Sequence, residues 1–270
     1  MKSTGRISSP GGVREPAVAG LFYPDDPETL RQSLAAHLTA ARTAEIVPKA
    51  LVAPHAGYVY SGPVAASAYV LLEPVCDRIR RVVLLGPSHR IPFRGIALSS
   101  AEAFRTPLGD VPVDKEAAAI VAPMPGVQVL DEAHALEHSL EVHLPFLQAV
   151  LNDFTLLPLT VGEATPEEVS AVLEAVWGGD ETLVVISSDL SHYHGYEEAE
   201  RLDEEVTRAV LALDAGFIDP EHACGCRPLN GLLTLAGRKG LTAEVLDQRN
   251  SGDTAGDRLR VVGYAAYSFS

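Results

Sequence analysis

The stretch Val82-Val83-Leu84-Leu85-Gly86-Pro87-Ser88-His89 decides the fold class of this chain. Four consecutive branched apolar residues without alternation predict a strand that is buried on both faces. The Gly86-Pro87 pair ends this strand, and a polar loop that carries a histidine follows. A strand of this kind belongs in a central sheet that helices cover on both sides.

Two further apolar runs end in the same way. Lys49–Ala53 leads into a loop with His55, and Thr182–Ile186 leads into a loop with Asp189 and His192. Segments with helical spacing lie between these runs along the chain. This alternation predicts an α/β fold with a mostly parallel central sheet flanked by helices.

Helix-start residues and apolar spacing place the remaining elements. The clearest helix opens at Thr165, where Pro166 and Glu168 complete a capping box. The other predicted helices cover 27–42, 63–72, 114–121, 139–151, 197–213 and 228–236. The predicted strands cover 49–53, 82–85, 96–99, 154–161, 182–186, 243–246 and 261–269. The last two strands are expected to pair antiparallel at an edge of the sheet.

Length and composition predict one domain. A chain of 270 residues with 47% hydrophobic content can build one sizeable core. Residues 1–13 are polar and rich in Gly, Ser and Pro, so we expect a disordered leader there and a single domain over 14–270.

Charge and cysteine usage exclude several classes of partner. The formal net charge of −15 disfavours a nucleic-acid partner, because such a surface repels phosphate backbones. Three cysteines do not suit a disulfide scaffold and indicate a reducing compartment. Neither a signal-peptide core nor a membrane-length apolar run occurs, so a cytoplasmic location is expected. Phosphate-binding glycine motifs and a G-x-S-x-G elbow are also absent.

His55, His89 and His192 each follow a predicted buried strand. Ligands of open parallel sheets bind outside the carboxyl ends of the strands, so these imidazoles are expected to share one pocket. Imidazole is the commonest protein ligand of transition metals, and two or three histidines with one anion make a usual catalytic site. Asp189 and Cys224 are the candidate anions.

Cys224 precedes a predicted helix. The helix N-terminus and the neighbouring Arg227 are expected to favour its thiolate form. Cys226 lies two residues later, and the C-x-C spacing leaves open which thiol binds a metal.

The segment from Glu137 to His143 is dense in ionisable residues. One interpretation is a helix start whose acidic residues match the helix dipole. The other is that Glu141 or His143 orients a ligand imidazole, with His138 nearby. The sequence supports these two interpretations equally.

Five segments of the sequence carry a resemblance to a known family: Arg14–Pro24, Ala53–Tyr58, Leu85–His89, Glu137–Pro145 and Ser187–His192. Together they resemble the Memo family, which is called protein B of the AmmeMemoRadiSam system in prokaryotes. The similarity runs in chain order over nearly everything after residue 13.

The resemblance implies a fold like that of class III extradiol dioxygenases, which use non-haem Fe(II) to open catechol-type rings. By motif, the metal ligands would be His55, His89 and Cys224, and the register to Pro228 favours Cys224 over Cys226. His192 and Asp189 would lie beside the open metal position as catalytic residues. The remaining pocket or supporting residues would be Tyr58, Ser88, His138, Glu141, His143, Cys226 and Arg227.

Three functions follow as hypotheses. The first is a metal-dependent oxidoreductase of the dioxygenase type, with iron or copper as the cofactor and zinc as the other option, acting on a small organic substrate. The second is a non-catalytic protein whose pocket recognises a peptide or a protein partner. The family's system suggests radical-SAM and AMMECR-type proteins as those partners. The third is a metal-dependent hydrolase.

Overall fold

The computed structural model of the chain describes residues 11–42 and 45–270. Residues 1–10 of the expected leader lie outside these ranges. Val13, the last residue of the expected leader, pairs with Ala103 in a parallel ladder. No helix among the described residues is both long and apolar enough to cross a membrane.

The described chain contains twelve strands and nine α-helices. The strands are β1 Val13–Arg14, β2 Ala50–Ala53, β3 Arg81–Pro87, β4 Ile96–Leu98, β5 Ala103–Thr106, β6 Gly109–Pro112, β7 Val127–Val129, β8 Thr155–Val161, β9 Thr182–Ser187, β10 His192–His194, β11 Ala243–Asn250 and β12 Val261–Phe269. The helices are α1 Pro27–Ala40, α2 Tyr58–Tyr69, α3 Lys115–Val121, α4 Glu132–Ala135, α5 Leu144–Val150, α6 Pro166–Ala175, α7 Tyr196–Leu211, α8 Cys226–Lys239 and α9 Ser251–Thr254.

Nine of the described strands form one sheet, in the order β10-β12-β2-β9-β3-β8-β4-β7, with β11 also paired to β12. The pairings around the centre, β2 to β9, β9 to β3 and β3 to β8, are parallel. Strand β12 runs antiparallel to β2, β10 and β11, and β4 runs antiparallel to β8. The fold is therefore α/β with helices around a mixed sheet, and the prediction of a mostly parallel sheet holds only for its centre.

Helices cover both faces of this sheet and close two apolar cores. On one face α1, α2 and α5 bring Leu30, Tyr69 and Phe146 against the strands. On the other face α6 and α8 pack closely, with Val169 and Leu232 fully buried. Each central strand is thus buried on both sides, as the unbroken run Val82–Leu85 predicted.

Two helices differ most from their predicted bounds. Helix α2 starts at Tyr58 and contains Pro63. The sequence pattern had predicted a helix that begins at this proline. Gly57 is the N-cap here, and the proline removes only one hydrogen bond from a well-packed helix. The predicted helix at 139–151 is a 3₁₀ turn, Glu141–His143, followed by α5, where Pro145 lies in the first turn.

Candidate metal centre

Adjacent strands deliver the central residues of the site. Strands β2, β9 and β3 are neighbours and parallel, so their carboxyl ends meet at one edge of the sheet. His55 follows β2, Asp189 follows β9 and His89 follows β3. The sequence prediction that these loops share a pocket agrees with this arrangement.

Three imidazoles converge at this edge. One nitrogen from each of His55, His89 and His138 lies within 4.8 Å of the other two. The His89 and His138 rings stack with centroids 4.7 Å apart, and the His55 centroid is 5.1 Å from that of His89. His138, which the sequence assigned a supporting role, thus joins His55 and His89 in a three-histidine group that could hold a metal ion.

The hydrogen bonds of Ser187 determine which nitrogen of His55 faces the group. Ser187 Oγ lies 2.6 Å from the carbonyl oxygen of Ser139, which can only accept a hydrogen bond. The hydroxyl must therefore donate there, and it accepts the N–H of His55 Nδ1 at 2.6 Å. This leaves the lone pair of His55 on Nε2, the atom required of a metal ligand.

Glu137 plays the corresponding role for the other two imidazoles. Its Oε1 lies 2.9 Å from His89 Nδ1 and 3.2 Å from His138 Nδ1. Burial raises the pKa of Glu137, but hydrogen bonds from His138 and His89 outweigh burial and hold this pKa well below its usual range. The residue is thus a carboxylate that accepts both Nδ1 hydrogens, and each Nε2 is left free.

His55 is neutral at ordinary pH. Burial lowers its pKa well below the usual value, and the neighbouring His89 and His138 lower it further. A neutral imidazole with its other nitrogen engaged is the form that coordinates metals. The donor set therefore fits a first-row transition metal, for which imidazole is a suitable ligand.

Cys224 lies next to the three-histidine group, with Sγ 3.3 Å from His55 Nε2. Its loop can approach β9 because Gly225 has no side chain. A Cβ on Gly225 would come within 2.4 Å of the Ser187 carbonyl oxygen. Cys226, in contrast, is buried in the apolar core beneath the sheet, 2% exposed.

The prediction of a stabilised Cys224 thiolate is wrong for the metal-free protein. Burial, and then the charge of Asp189, raise the pKa of this thiol far above its usual range. The Arg227 charge lowers the pKa of Cys226 instead, although burial raises that pKa more. Cys224 is therefore a neutral thiol here, which a bound metal would have to deprotonate.

Asp189 is buried beside these ligands. Its Oδ1 accepts the backbone N–H of His55 at 2.7 Å, and its own backbone N–H lies 3.4 Å from Cys224 Sγ. Burial raises the pKa of Asp189, while the hydrogen bond from His55 opposes this effect. The carboxyl group thus ties the loop after β2 to the loop after β9, and the backbone N–H of Asp189 joins them to the Cys224 loop.

His192 lies outside the three-histidine group. It is in β10, where a bulge separates it from His194, and Tyr193 between them has a left-handed φ of 62°. The imidazole is half-buried, and its charge acts on the pKa of Asp189. Of the two predicted catalytic residues, Asp189 therefore contacts the group directly and His192 lies beyond it.

Three predicted supporting residues serve the fold instead. The fully buried Glu141 forms an ion pair with Arg14 and accepts a 2.6 Å hydrogen bond from the Tyr23 hydroxyl. His143 Nδ1 lies 2.7 Å from the Tyr69 hydroxyl. The Tyr58 hydroxyl donates to the Val142 carbonyl oxygen at 2.7 Å. None of the three side chains makes a hydrogen bond to His55, His89 or His138, all of which the structure describes.

A cavity of about 470 Å³ opens beside the group. Its wall includes four of the predicted site residues: Ser88, His89, Cys224 and Arg227. Sites of roughly 300–1,000 Å³ are typical for small ligands. The cavity is therefore large enough for a small organic molecule in reach of His89 and Cys224.

Comparison with known proteins agrees with this arrangement. The model of the Memo-like protein family matches residues 14–268. The chain belongs to the Memo family. A MEMO1 family protein of Methanothermobacter thermautotrophicus is 38% identical, over 95% of this chain and 100% of that protein. A MEMO1 family protein of Aquifex aeolicus is 37% identical, over 95% of this chain and 99% of its own length.

An uncharacterised protein from Escherichia coli K12 has a similar fold to this Memo-family chain. The TM-score is 0.51 at 17% identity, over 80% of this chain and 98% of that one. At this identity the similarity concerns the fold alone.

Sequence reasoning missed two residues of this Memo-family site. Ser187 was not among the predicted site residues, and Glu137 was considered only as an acidic residue at a helix start. A signal for Glu137 was present in the sequence, because it directly precedes His138 in a loop rich in histidine. A signal for Ser187 was its position as the last residue of a buried strand.

Proposed function

We propose that His55, His89 and His138 bind one iron or copper ion and that the chain is a metal-dependent oxidoreductase for a small organic substrate. The observation that carries this proposal is the engagement of all three Nδ1 atoms by Ser187 and Glu137. Three imidazoles that are held in place bind a metal better than mobile ones, because less ordering entropy is lost.

The surroundings of the group support a catalytic role over a structural one. Structural zinc sites use four protein ligands, whereas catalytic sites keep a position for substrate. Here His89 of the three-histidine group lines a cavity together with Cys224, whose soft sulfur donor lies 3.3 Å from His55 Nε2. Bound iron or copper would supply the one-electron chemistry that lets O₂ react with an organic substrate.

Asp189 and His192 are the residues that we propose to handle protons. Asp189 is buried, touches His55 and Cys224, and has only one side-chain hydrogen-bond partner among the described residues. His192 is half-buried, lies outside the three-histidine group, and is close enough for its charge to act on Asp189. A class III extradiol dioxygenase-like fold would place acid–base residues in such a position, and we include that likeness in the proposal.

Metal analysis after anaerobic purification tests this function. We expect about one iron or copper per chain in the wild type and a loss of most of it in His138→Ala. His222→Ala is the control, because that imidazole pairs with Asp219 away from the site. The oxygen-uptake rate with a set of catechols is then measured on the loaded protein.

The same experiment separates the competing ligand sets and functions. If Cys224→Ser loses the metal and His138→Ala retains it, the ligands are His55, His89 and Cys224. Zinc alone, with ester or amide hydrolysis and no O₂ uptake, would replace the oxidoreductase by a hydrolase. A protein that retains no metal under any of these conditions would contradict the proposal.

A further inference from the structure

The cavity beside the three-histidine group has a charge opposite to that of the whole molecule. Two arginines, Arg94 and Arg227, line it together with one acidic residue, Glu163. The chain as a whole carries 36 acidic and 21 basic residues. The cavity wall is thus a local positive region on an acidic protein, and such a region favours anionic ligands.

Neither cavity arginine is neutralised by the protein. The salt bridges among the described residues use Arg14, Arg31, Arg78, Arg81 and other cations, but not Arg94 or Arg227. Glu163 lies across a backbone bridge from Arg94 and forms no salt bridge with it either. A guanidinium without a carboxylate partner retains its full capacity to bind a carboxylate on a ligand.

Arg227 is the better placed of the two. It is half-buried in the first turn of α8, three residues after Cys224, whereas Arg94 is exposed. Among the described residues its side chain forms neither a hydrogen bond nor a salt bridge. No acidic residue occupies the first turn of α8, so the positive end of this helix adds to the arginine.

Part of the cavity wall is apolar. Ile91, Pro92 and Phe93 form a continuous stretch of the cavity lining after His89. An anion held by Arg227 would therefore have hydrocarbon surface available for the rest of the molecule. Such pockets combine a largely apolar wall with a few placed polar groups that orient the ligand.

We infer that the substrate of this site is a small organic acid, with its carboxylate on Arg227 and its apolar body against Ile91, Pro92 and Phe93. This inference rests on the proposed function, because it takes the cavity as the substrate site of the metal centre. It adds the chemical class of the substrate, which the metal ligands do not specify.

Benzoate and benzamide test the inference, since they share size and shape and differ in charge. Dissociation constants are measured by NMR titration on metal-free and metal-loaded wild type. We expect benzoate to bind at least about 10-fold more tightly than benzamide, as one charge-assisted hydrogen bond allows. In Arg227→Gln this ratio should fall to about one, and Arg227→Lys should retain part of it.

Arg31→Gln is the matched control, because that arginine is exposed on α1 outside this cavity. It should leave the ratio unchanged. A ratio near one in the wild type, an unchanged ratio in Arg227→Gln, or no saturable benzoate binding in the millimolar range would overturn the inference. Tighter binding of inorganic phosphate than of benzoate would also overturn it, since the apolar wall would then contribute nothing.

Measurements on metal-free and metal-loaded protein distinguish a failure of this inference from a failure of the proposed function. If the ratio depends on Arg227 but no metal binds, the anion site stands and the oxidoreductase proposal fails. If metal binds but the ratio of benzoate to benzamide affinity is unchanged in Arg227→Gln, the oxidoreductase proposal stands and the anion inference fails. A preference that exists only in the loaded protein and survives in Arg227→Gln assigns the carboxylate to the metal, which also overturns the inference.

Discussion

Glu137 orients two imidazoles with one carboxylate. Its Oε1 lies 2.9 Å from His89 Nδ1 and 3.2 Å from His138 Nδ1, and its Oε2 accepts the backbone N–H of His89 at 2.6 Å. Carboxylate partners of this kind fix the tautomer of a ligand and raise its basicity. In the proposed metal site, the metal affinity therefore depends on a side chain that need not touch the metal.

Glu137→Gln is predicted to weaken metal binding about 10- to 100-fold. A neutral amide oxygen accepts imidazole hydrogens more weakly than a carboxylate, and the amide NH₂ group cannot accept the backbone N–H of His89 as Oε2 does. Competition with a chelator measures the affinity, and circular dichroism checks that the fold is retained. Glu132→Gln, an exposed glutamate of the same loop region, is the control. An unchanged affinity in Glu137→Gln would show that the carboxylate does not organise the ligands.

The residues of this site were predictable to different degrees. His55 and His89 directly follow buried strands, and a pattern of that kind is visible in one sequence. His138 and Glu137 lie in a segment whose spacing matched a helix start, so their role depended on tertiary contacts that the spacing does not contain. The choice of Cys224 over Cys226 depended on which side of the sheet each thiol reaches.

Glu141 anchors a whole segment of the chain. It accepts the backbone N–H groups of Ala17 and Val18 at 2.7 and 3.0 Å and pairs with the buried Arg14. Arg14 in turn donates to the Glu137 carbonyl oxygen at 2.6 Å. The N-terminal strand segment is thereby attached to the loop that carries His138, so element packing and site geometry are linked.

Glu141→Gln is predicted to lower the free energy of unfolding by about 3–5 kcal/mol, because it leaves the buried Arg14 charge unpaired. Urea denaturation measures this change. Glu15→Gln is the control, since Glu15 pairs with Arg105 at the exposed surface. This substitution should change the free energy of unfolding by no more than the experimental error. Equal effects of the two substitutions would contradict the assigned role of Glu141.

Two glycines of the α8 region give a second test at the scale of elements. Gly225→Ala places a Cβ 2.4 Å from the Ser187 carbonyl oxygen and 2.5 Å from Ser188 Cβ. We expect a loss of stability of about 1–3 kcal/mol and weaker metal binding, because the Ser187 contact with His55 is disturbed.

Gly237→Ala is the matched control in the same helix, because a Cβ there meets nothing within 4 Å. It should raise the free energy of unfolding by up to about 1 kcal/mol. The stability of both variants is measured by thermal unfolding. If Gly225→Ala were as well tolerated as Gly237→Ala, the close approach of the Cys224 loop to β9 would be refuted.

The sheet shows what the order of elements in a sequence can specify. Strand–helix alternation specified the parallel centre, because such connections need a crossover helix. It did not specify that β12 inserts antiparallel between β2 and β10, since that position depends on long-range pairing. The β5–β6 hairpin was missed because its strands are four residues each and Gly109 alone marks its turn.

The stability of the whole molecule should depend on pH through Asp203 of α7. Burial raises the pKa of this carboxyl to about 6, although the backbone N–H of Ser191 donates to it at 3.0 Å. The folded state therefore holds this proton more tightly than the unfolded state, whose value is 3.8. The resulting stabilisation is complete below pH 3.8 and is lost as the pH rises through about 6.

Asp203→Asn should remove this dependence, because the amide keeps the acceptor oxygen and carries no charge. At pH 8 the variant is expected to be more stable than the wild type by up to about 3 kcal/mol, and the difference should shrink toward pH 4. Urea denaturation at several pH values measures both proteins. If the free energies of unfolding of the two proteins changed with pH in the same way, Asp203 would not be the group that causes the pH dependence.

Anomalous diffraction from crystals of metal-loaded protein would locate the bound ion and its ligand atoms. We expect a single peak at the absorption edge of iron or copper, at about 2.0–2.2 Å from the Nε2 atoms of His55, His89 and His138. Hydrogen bonds from each Nδ1 to Ser187 or Glu137 should persist. A fully loaded crystal whose peak lies elsewhere, or whose ion is bound through Nδ1, would contradict the proposed three-histidine metal site.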